Sequence, residues 1–510
     1  MWMPPPPPQQ PKTDSPMFPL RTLTALLVLL LVSPANAETN SAAKLSLGHS
    51  IQLALGNNLS LEISRYNPKF SRNNLKLSLF AYDPSVSLST DANTSSSPGG
   101  VDDQNRAFAG TETDSERYTA GLSGNAVTGL RYNLNANLSH RQGFNPGEFE
   151  NTSGGGTFSI TQPLLKNAWI DQTRLSIRVG RNDVRISDLA LKQAIMQLVT
   201  NVERAYYDLI LAQIRVQVQE QSLELSEKLL NANSRRVAVG VMAPLDEKQT
   251  ESQVAARQSS LRSAQQSLIA QEYGFKRLIT SDIATWRTVD IEPTDQLVAV
   301  PQEFDLHRSW GIALRSRPDI LQAQINVESD GIRLRFRKNQ LFPQLDLTAS
   351  AGFSGNDREY AGVFTDVFDR DSPRYAVGAR MSIPLGNRSQ RKLYQNQRMR
   401  NDRNVLSLKE MEQNIMTTVA LNIESAKTAL DQISTTKKSR EFAEIALDAE
   451  QKKLEIGKST SFIVLQLQRD LTSARSAEIT ALAGYNRALS TLALSEGTTL
   501  ERLKLDLAIK

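Results

Sequence analysis

Three histidines, His49, His140 and His307, are the only imidazoles in the chain, and there is no cysteine at all. His49 and His307 fall at equivalent helix starts of an internal repeat and His140 lies in a strand, so no two have the spacing of metal ligands. Thiolate sites and disulfides are excluded outright. No phosphate-binding loop, nucleophile elbow or dinucleotide fingerprint is present. The sequence therefore points away from an enzyme and calls for no cofactor or metal. What remains are small polar side chains at period two and glycines between long helices, which can line a passage and move a wall.

The elements that must position these residues occur twice. Residues 47–88 reappear at 306–347 with a constant offset of 259 and no gap, matching Leu47 with Leu306, Ser50 with Ser309, Ala54 with Ala313, Pro84 with Pro343 and Leu88 with Leu347. Two more matches follow: "SITQPLL" around Pro163 against "RMSIPLG" around Pro384, then "VAVGVMAPLDE" around Gly240 against "LEIGKSTSFIV" around Gly457. Each unit reads as short helices, a proline, a β segment, a proline, a very long helix, a glycine turn and another long helix. A repeat of that size means one architecture built twice.

From Met17, "MFPLRTLTALLVLLLVSPANA" has a basic residue at Arg21, an apolar stretch from Leu23 to Val32 and the small-x-small triplet Ala35, Asn36, Ala37. That is the pattern of a secretory leader with cleavage expected before Glu38, and its apolar core is short for a membrane span. Without residues 1–37 the chain keeps 57 basic against 53 acidic side chains. The charges are interleaved along helical faces, which gives no footprint for nucleic acid. No run of eighteen apolar residues follows, so any membrane crossing must be made by β-strands.

The β segments fit such a crossing. Tyr132, Leu134, Ala136 and Leu138 alternate with Asn133, Asn135, Asn137 and Ser139. The preceding segment sets Tyr118, Ala120 and Leu122 against Thr119 and Ser123, joined through a Thr128-Gly129 turn. Val86, Leu88 and Thr90 mark a first strand, and Phe158 and Ile160 the one before Pro163. The second unit repeats the pattern with Leu345, Leu347, Ala349, Ala351 and Phe353, then Tyr375, Val377, Ala379 and Met381. Export, small polar inner faces and glycine-rich loops at 95–115, 141–156 and 354–373 favour a transmembrane barrel over a soluble sandwich.

Between Pro163 and Gly240 no proline interrupts a helix, and roughly 70 helical residues span on the order of 100 Å. Leu261, Ala264, Leu268, Gln271, Phe275 and Leu278 step by three or four, as do Leu467, Leu471, Ala474, Glu478, Leu482, Tyr485, Leu489 and Leu492. That is the seam of antiparallel coiled coils. Six strands cannot close a useful barrel and two helical hairpins leave an apolar flank bare, so several copies must share one barrel and one cylinder.

These features resemble the TolC-like outer-membrane factor family. The residues carrying the likeness are Ala54-Leu55 with Asn57-Asn58, Ala313-Leu314 with Arg317-Pro318, the helix–strand junction prolines Pro84, Pro163, Pro343 and Pro384, and the two glycine turns. The likeness covers essentially all of the chain after the leader. It implies an α+β membrane protein: long antiparallel coiled-coil helices form a periplasmic tunnel, continued by a transmembrane β-barrel assembled from several chains. It further implies a homotrimer in the outer membrane, reaching across the periplasm to an adaptor (membrane fusion) protein and an inner-membrane pump. The function implied is the exit duct of efflux or type I secretion, with outer-membrane lipid around the barrel. A periplasmic coiled-coil scaffold or adaptor without a barrel is the rival.

The resemblance also carries site residues. The tip contacts for the adaptor are Gly240, Val241, Gly457, Lys458 and Ser459, and Asp246 matches an acidic latch position. The family's acidic constriction falls six and nine residues after the second glycine, where this chain has Ile463 and Gln466. A cation-selecting carboxylate ring is thereby replaced by an apolar constriction near Phe462 and Ile463. The junction prolines are 79 residues apart in the first unit and 41 in the second, and the surplus contains a hairpin at 117–140. Four strands per chain are usual in the family; with this hairpin in the wall a trimer closes eighteen, without it twelve. The expected organisation is a leader at 1–37; a first repeat at 38–280 (helices 46–81, strands 84–163, long helices 167–280); an equatorial segment at 281–305; and a second repeat at 306–510 (helices 306–341, strands 343–384, long helices 388–496 and a tail).

Overall fold

The computed structural model describes residues 43–145, 147–370 and 372–505. The leader expected at 1–37 lies outside the described residues. The first unit runs β1 (Ala43–Leu45), α1 (Leu47–Asn57), α2 (Leu59–Leu79), β2 (Ser85–Ser97), β3 (Gly100–Val101), β4 (Ala107–Phe108), β5 (Thr111–Asn125), β6 (Arg131–Phe144), β7 (Glu148–Pro163), α3 (Gln172–Ala238) and α4 (Pro244–Ile279). After β8 (Ile291–Pro293) come α5 (Leu306–Ser316), α6 (Pro318–Asn339), β9 (Gln344–Asp357), α7 (Tyr360–Asp369), β10 (Pro373–Ser382), α8 (Arg388–Glu455), α9 (Ser461–Glu496) and α10 (Thr499–Arg502).

Helix α3 has 67 residues and α8 has 68, while α4 and α9 have 36 each. At 1.5 Å per residue the long pair reach about 100 Å. One half of α3 packs against α4 and the other against α2 and α6; α8 likewise takes α9 and then α6. Local sequence sets the breaks. Asn58 ends α1 and caps α2, accepting from Leu61 N at 3.1 Å, so the helices expected over 46–81 are parted at that residue. At the repeat-equivalent position Arg317 is followed by Pro318, a residue preorganised for the first turn of α6. Helix α3 begins at Gln172 and not near 167, because Asp171 caps it by accepting from Arg174 N at 2.7 Å.

The main sheet is antiparallel throughout, in the order β10-β9-β7-β6-β5-β2. Its strands overrun the glycine-rich segments expected as loops at 95–115 and 141–156: glycine spares side-chain bulk without preventing pairing. The third such segment, 354–373, holds α7, whose Val363 is buried and would meet any Cβ placed on Gly154 at 2.9 Å.

The largest core lies midway along the helices, where Val199, Val202, Tyr206, Leu209, Phe275 and Ile279 are buried with Ile51 and Leu61. A parallel β1–β8 pair crosses it. The Tyr206 hydroxyl lies 2.9 Å from Leu45 O and 2.8 Å from Asp295 Oδ2, and burial above all pushes it up to about 12. Tyr485 Oη donates to Val300 O at 2.7 Å, fastening the segment after β8 to α9. No helix among the described residues is long and apolar enough to cross a membrane.

Candidate functional site: helical tip and sheet wall

Two glycine turns close the far ends of the helical hairpins, and both have the same geometry. Gly240 has φ +79° and Gly457 φ +74°. Gly240 N donates to Val237 O at 2.9 Å and Val241 N to Arg236 O at 3.0 Å; Gly457 N donates to Leu454 O at 3.2 Å and Lys458 N to Lys453 O at 2.8 Å. Each is a Schellman cap, which satisfies the last helical carbonyls and needs a left-handed residue at that point. Arg235 and Arg236, like Lys452 and Lys453, put positive charge in the last turn, where it complements the helix dipole.

The residues singled out by sequence are divided between these turns. Gly240 and Val241 lie on the first and Gly457, Lys458 and Ser459 on the second; Val241 is exposed. Ser459 Oγ donates to Glu450 Oε1 at 2.6 Å, and this bond, with that from Lys453, holds the Glu450 carboxyl below the usual range. On α9, Phe462, Ile463 and Gln466 share an exposed face, opposite buried Val464, Leu465 and Gln468. Asp246 sits in the first turn of α4. Its carboxylate makes no hydrogen bond or ion pair among the described residues. Of the junction prolines, Pro163 ends β7, Pro84 and Pro343 directly precede β2 and β9, and Pro384 follows β10 by two residues.

Sequence reasoning does not find the polar knot behind the turns. Asn233 Nδ2 donates to Thr250 Oγ1 at 2.9 Å, and Ser461 Oγ donates to Asn233 Oδ1 at 3.2 Å. All three residues are buried, joining α3, α4 and α9. Further along, Arg440 pairs with Glu478 at 2.6 Å and Glu444 at 2.8 Å, and Arg475 also holds Glu444 at 2.8 Å. Arg257 on α4 has its pKa lowered, first by burial and then by the neighbouring Arg469 guanidinium of α9. The exposed apolar residues Val239, Leu245 and Ile456 also flank the turns without a signal that sequence periodicity could single out.

At the other end the sheet register sorts side chains by face. Val86, Leu122, Leu134, Phe158, Ala351 and Tyr375 are paired in one row across six strands. The adjacent row, on the opposite face, is Ser85, Ser123, Asn133, Ser159, Ser350 and Ala376. One face is thus apolar and the other carries uncharged polar groups over most of its span. No group of three or more His, Asp or Glu able to hold a metal occurs among the described residues.

The family profile described as "Outer membrane efflux protein" matches residues 50–279 and 311–498. The chain belongs to the outer membrane efflux protein family. The probable efflux pump outer membrane protein TtgC of Pseudomonas putida is 24% identical over 299 residues, covering 58% of this chain and 59% of that relative's length. The outer-membrane channel OprN superposes with a TM-score of 0.67 at 18% identity over 89% of this chain and 90% of that one. VceC of Vibrio cholerae gives 0.66 at 16% identity over 88% and 96%. At these identities the superpositions show the fold alone, long helical hairpins with a β-sheet at one end. Membership of this family places the chain in the outer membrane, extending into the periplasm.

Proposed function

We propose that three copies of the chain form the exit duct of a tripartite efflux or type I secretion system. The observation that carries this reading is one two-faced sheet, apolar on one side and polar on the other, continuous with helices about 100 Å long. Such a sheet suits a barrel with outer-membrane lipid outside and water inside. The helices suit a periplasmic tunnel whose walls are the two repeats, residues 38–280 and 306–510, girdled by 281–305. The near balance of charge supports no nucleic-acid partner.

Conduction needs no bond chemistry, only a wall and a gate. The tip residues Gly240, Val241, Gly457, Lys458 and Ser459 are the contact for a periplasmic adaptor, through which an inner-membrane pump delivers cargo. Phe462, Ile463 and Gln466 form a largely apolar constriction. Asp246, unpartnered in its own chain among the described residues, latches a neighbouring copy's helix. Adaptor binding biases the hairpins outward, a two-state opening.

The test is extraction followed by conductance. The protein should require detergent, run as a trimer and give stepwise currents in a planar bilayer. Release into buffer as a soluble species would instead favour a periplasmic scaffold.

A further inference from the structure

We infer that the membrane wall is an eighteen-stranded barrel in which β5 and β6 are full wall strands and β2 of one copy pairs antiparallel with β10 of the next. The inference rests on the trimeric duct proposed above and departs from the twelve strands that the family resemblance implies.

The extra hairpin is in the sheet along its whole length. β5 pairs with β2 from Ser123↔Ser85 to Thr111↔Ser97, and β6 pairs with β7 from Arg131↔Thr161 to Phe144↔Glu148. It also keeps the sheet's two faces. Leu122 and Leu134 lie in the apolar row between Val86 and Phe158, and Ser123 and Asn133 lie in the polar row between Ser85 and Ser159. Helix α7 does not account for that band, because Leu134 is exposed and, like Leu122, lies outside the apolar groove beside α7. The hairpin's turn is seated as well. Gly129 has φ +86°, and a Cβ there would come within 2.6 Å of Arg174 Nη2, on the first turn of α3. That guanidinium is itself held by Asn167 O at 2.7 Å and Ala168 O at 2.9 Å. The hairpin thus rests on the helix–strand junction.

The edges dictate the closure. Every residue of β2 and of β10 is exposed, and unpaired backbone groups cost several kcal/mol each in hydrocarbon. An even number of antiparallel strands per chain makes the two edge strands run in opposite directions. Head-to-tail pairing of identical copies is then antiparallel, and a ring leaves no edge. Val86 and Leu88 on one edge and Val377, Tyr375 and Met381 on the other carry the same face across the joint.

The consequence is width. With ordinary strand spacing and tilt, eighteen strands give a backbone diameter of about 36 Å, against about 24 Å for twelve. Only α2, α3, α6 and α8 of each chain lead into the junctions, so the wall flares from four helices to six strands per copy. Cargo size is then limited at the helical tip and not in the membrane.

Imaging of the detergent-extracted full chain at strand resolution tests this. Eighteen wall strands are expected. A twelve-stranded wall with residues 111–144 outside it overturns the inference while leaving the duct intact, whereas absence of any barrel overturns the duct itself. A second readout uses the natural lack of cysteine. In vesicles, Asn135→Cys should react with a water-soluble maleimide at least about tenfold faster than Leu134→Cys, since only one faces the lumen. Equal rates would show a hairpin standing in water.

Discussion

Ser461 and Asn233 are joined by a hydrogen bond of 3.2 Å that ties the second helical hairpin to the first, just behind the two glycine turns. Both are buried, and the same asparagine holds Thr250. Outward movement of the hairpins must break this contact or carry α3 and α9 together. Asn233→Ala removes both bonds and strands the Ser461 hydroxyl, whereas Thr250 keeps its bond to Asp246 O at 2.8 Å. The expected cost is about 1–3 kcal/mol, confined to the tip. Hydrogen exchange should quicken over residues 230–250 and 455–468 with little change near Tyr206; protection unchanged at the tip would show that the knot does not restrain it.

The paired Schellman caps give a second prediction. An added Cβ at Gly240 or Gly457 meets nothing within 4 Å, so substitution is penalised by backbone conformation alone. Gly240→Ala and Gly457→Ala should each cost about 1 kcal/mol locally, and Asn, which tolerates the left-handed region, less. Limited proteolysis of the tip should follow the order Gly, Asn, Ala; an Ala variant as resistant as the parent would mean that the caps adapt.

How much of this is legible in the sequence depends on the length of the signal. The β5–β6 hairpin is legible because Tyr132 to Ser139 alternate without error, and the Schellman glycines because they punctuate long uninterrupted helices. Helix α7 is not: its ten residues lie in a glycine-rich stretch and are too few to display a period. Asn233 is also hidden, since a polar residue in a mostly polar helix reads as solvated until the crossing of α4 and α9 surrounds it. Asp246 and the constriction residues take their roles from family resemblance, because a latch between copies leaves no mark on one chain.

The buried Glu203 carboxylate faces Arg502, which closes the C-terminal end of the described chain onto α3. Burial is the largest influence and raises its pKa, with Arg502 and Ser490 opposing. A carboxyl raised on folding contributes stability that is fully present below its unfolded pKa and is lost as pH rises through the folded value. Arg502→Met should therefore destabilise at neutral pH by about 3 kcal/mol, discounted for the partly exposed guanidinium. The loss should shrink on acidification, and Glu203→Gln should rescue the variant. Melting at pH 5 and pH 8 checks this; an equal loss at both would show that packing and not charge is at stake.

The two faces of β2 should respond oppositely to the same residue. Leu88 is on the apolar face and Ser89 on the polar one, with Ser89 Oγ 2.5 Å from Thr119 Oγ1. Leu88→Arg near the bilayer midplane should cost about 2–4 kcal/mol per copy and lower the yield of detergent-resistant trimer. Ser89→Arg should assemble normally and shift the reversal potential toward anions, as a ring of three charges in the lumen requires. Matching defects in both would remove the distinction between lipid and lumen faces.

Helix α7 lies on the apolar face, not the polar one. Val363 packs over Gly154, and the rings of Tyr360 and His140 stand 5.2 Å apart. Beyond it Phe364 is 51% and Phe368 79% exposed, beside an apolar groove of about 610 Å³ lined by Leu88, Ala120, Ala136 and Leu138. If that face meets lipid, the exposed rings of α7 must meet it too, as an interfacial helix does. Phe368→Trp reconstituted in vesicles of brominated phosphatidylcholine should lose most of the fluorescence it adds over the parent. Full emission there, with quenching retained for Tyr375→Trp on β10, would place α7 in water above a lipid-facing wall.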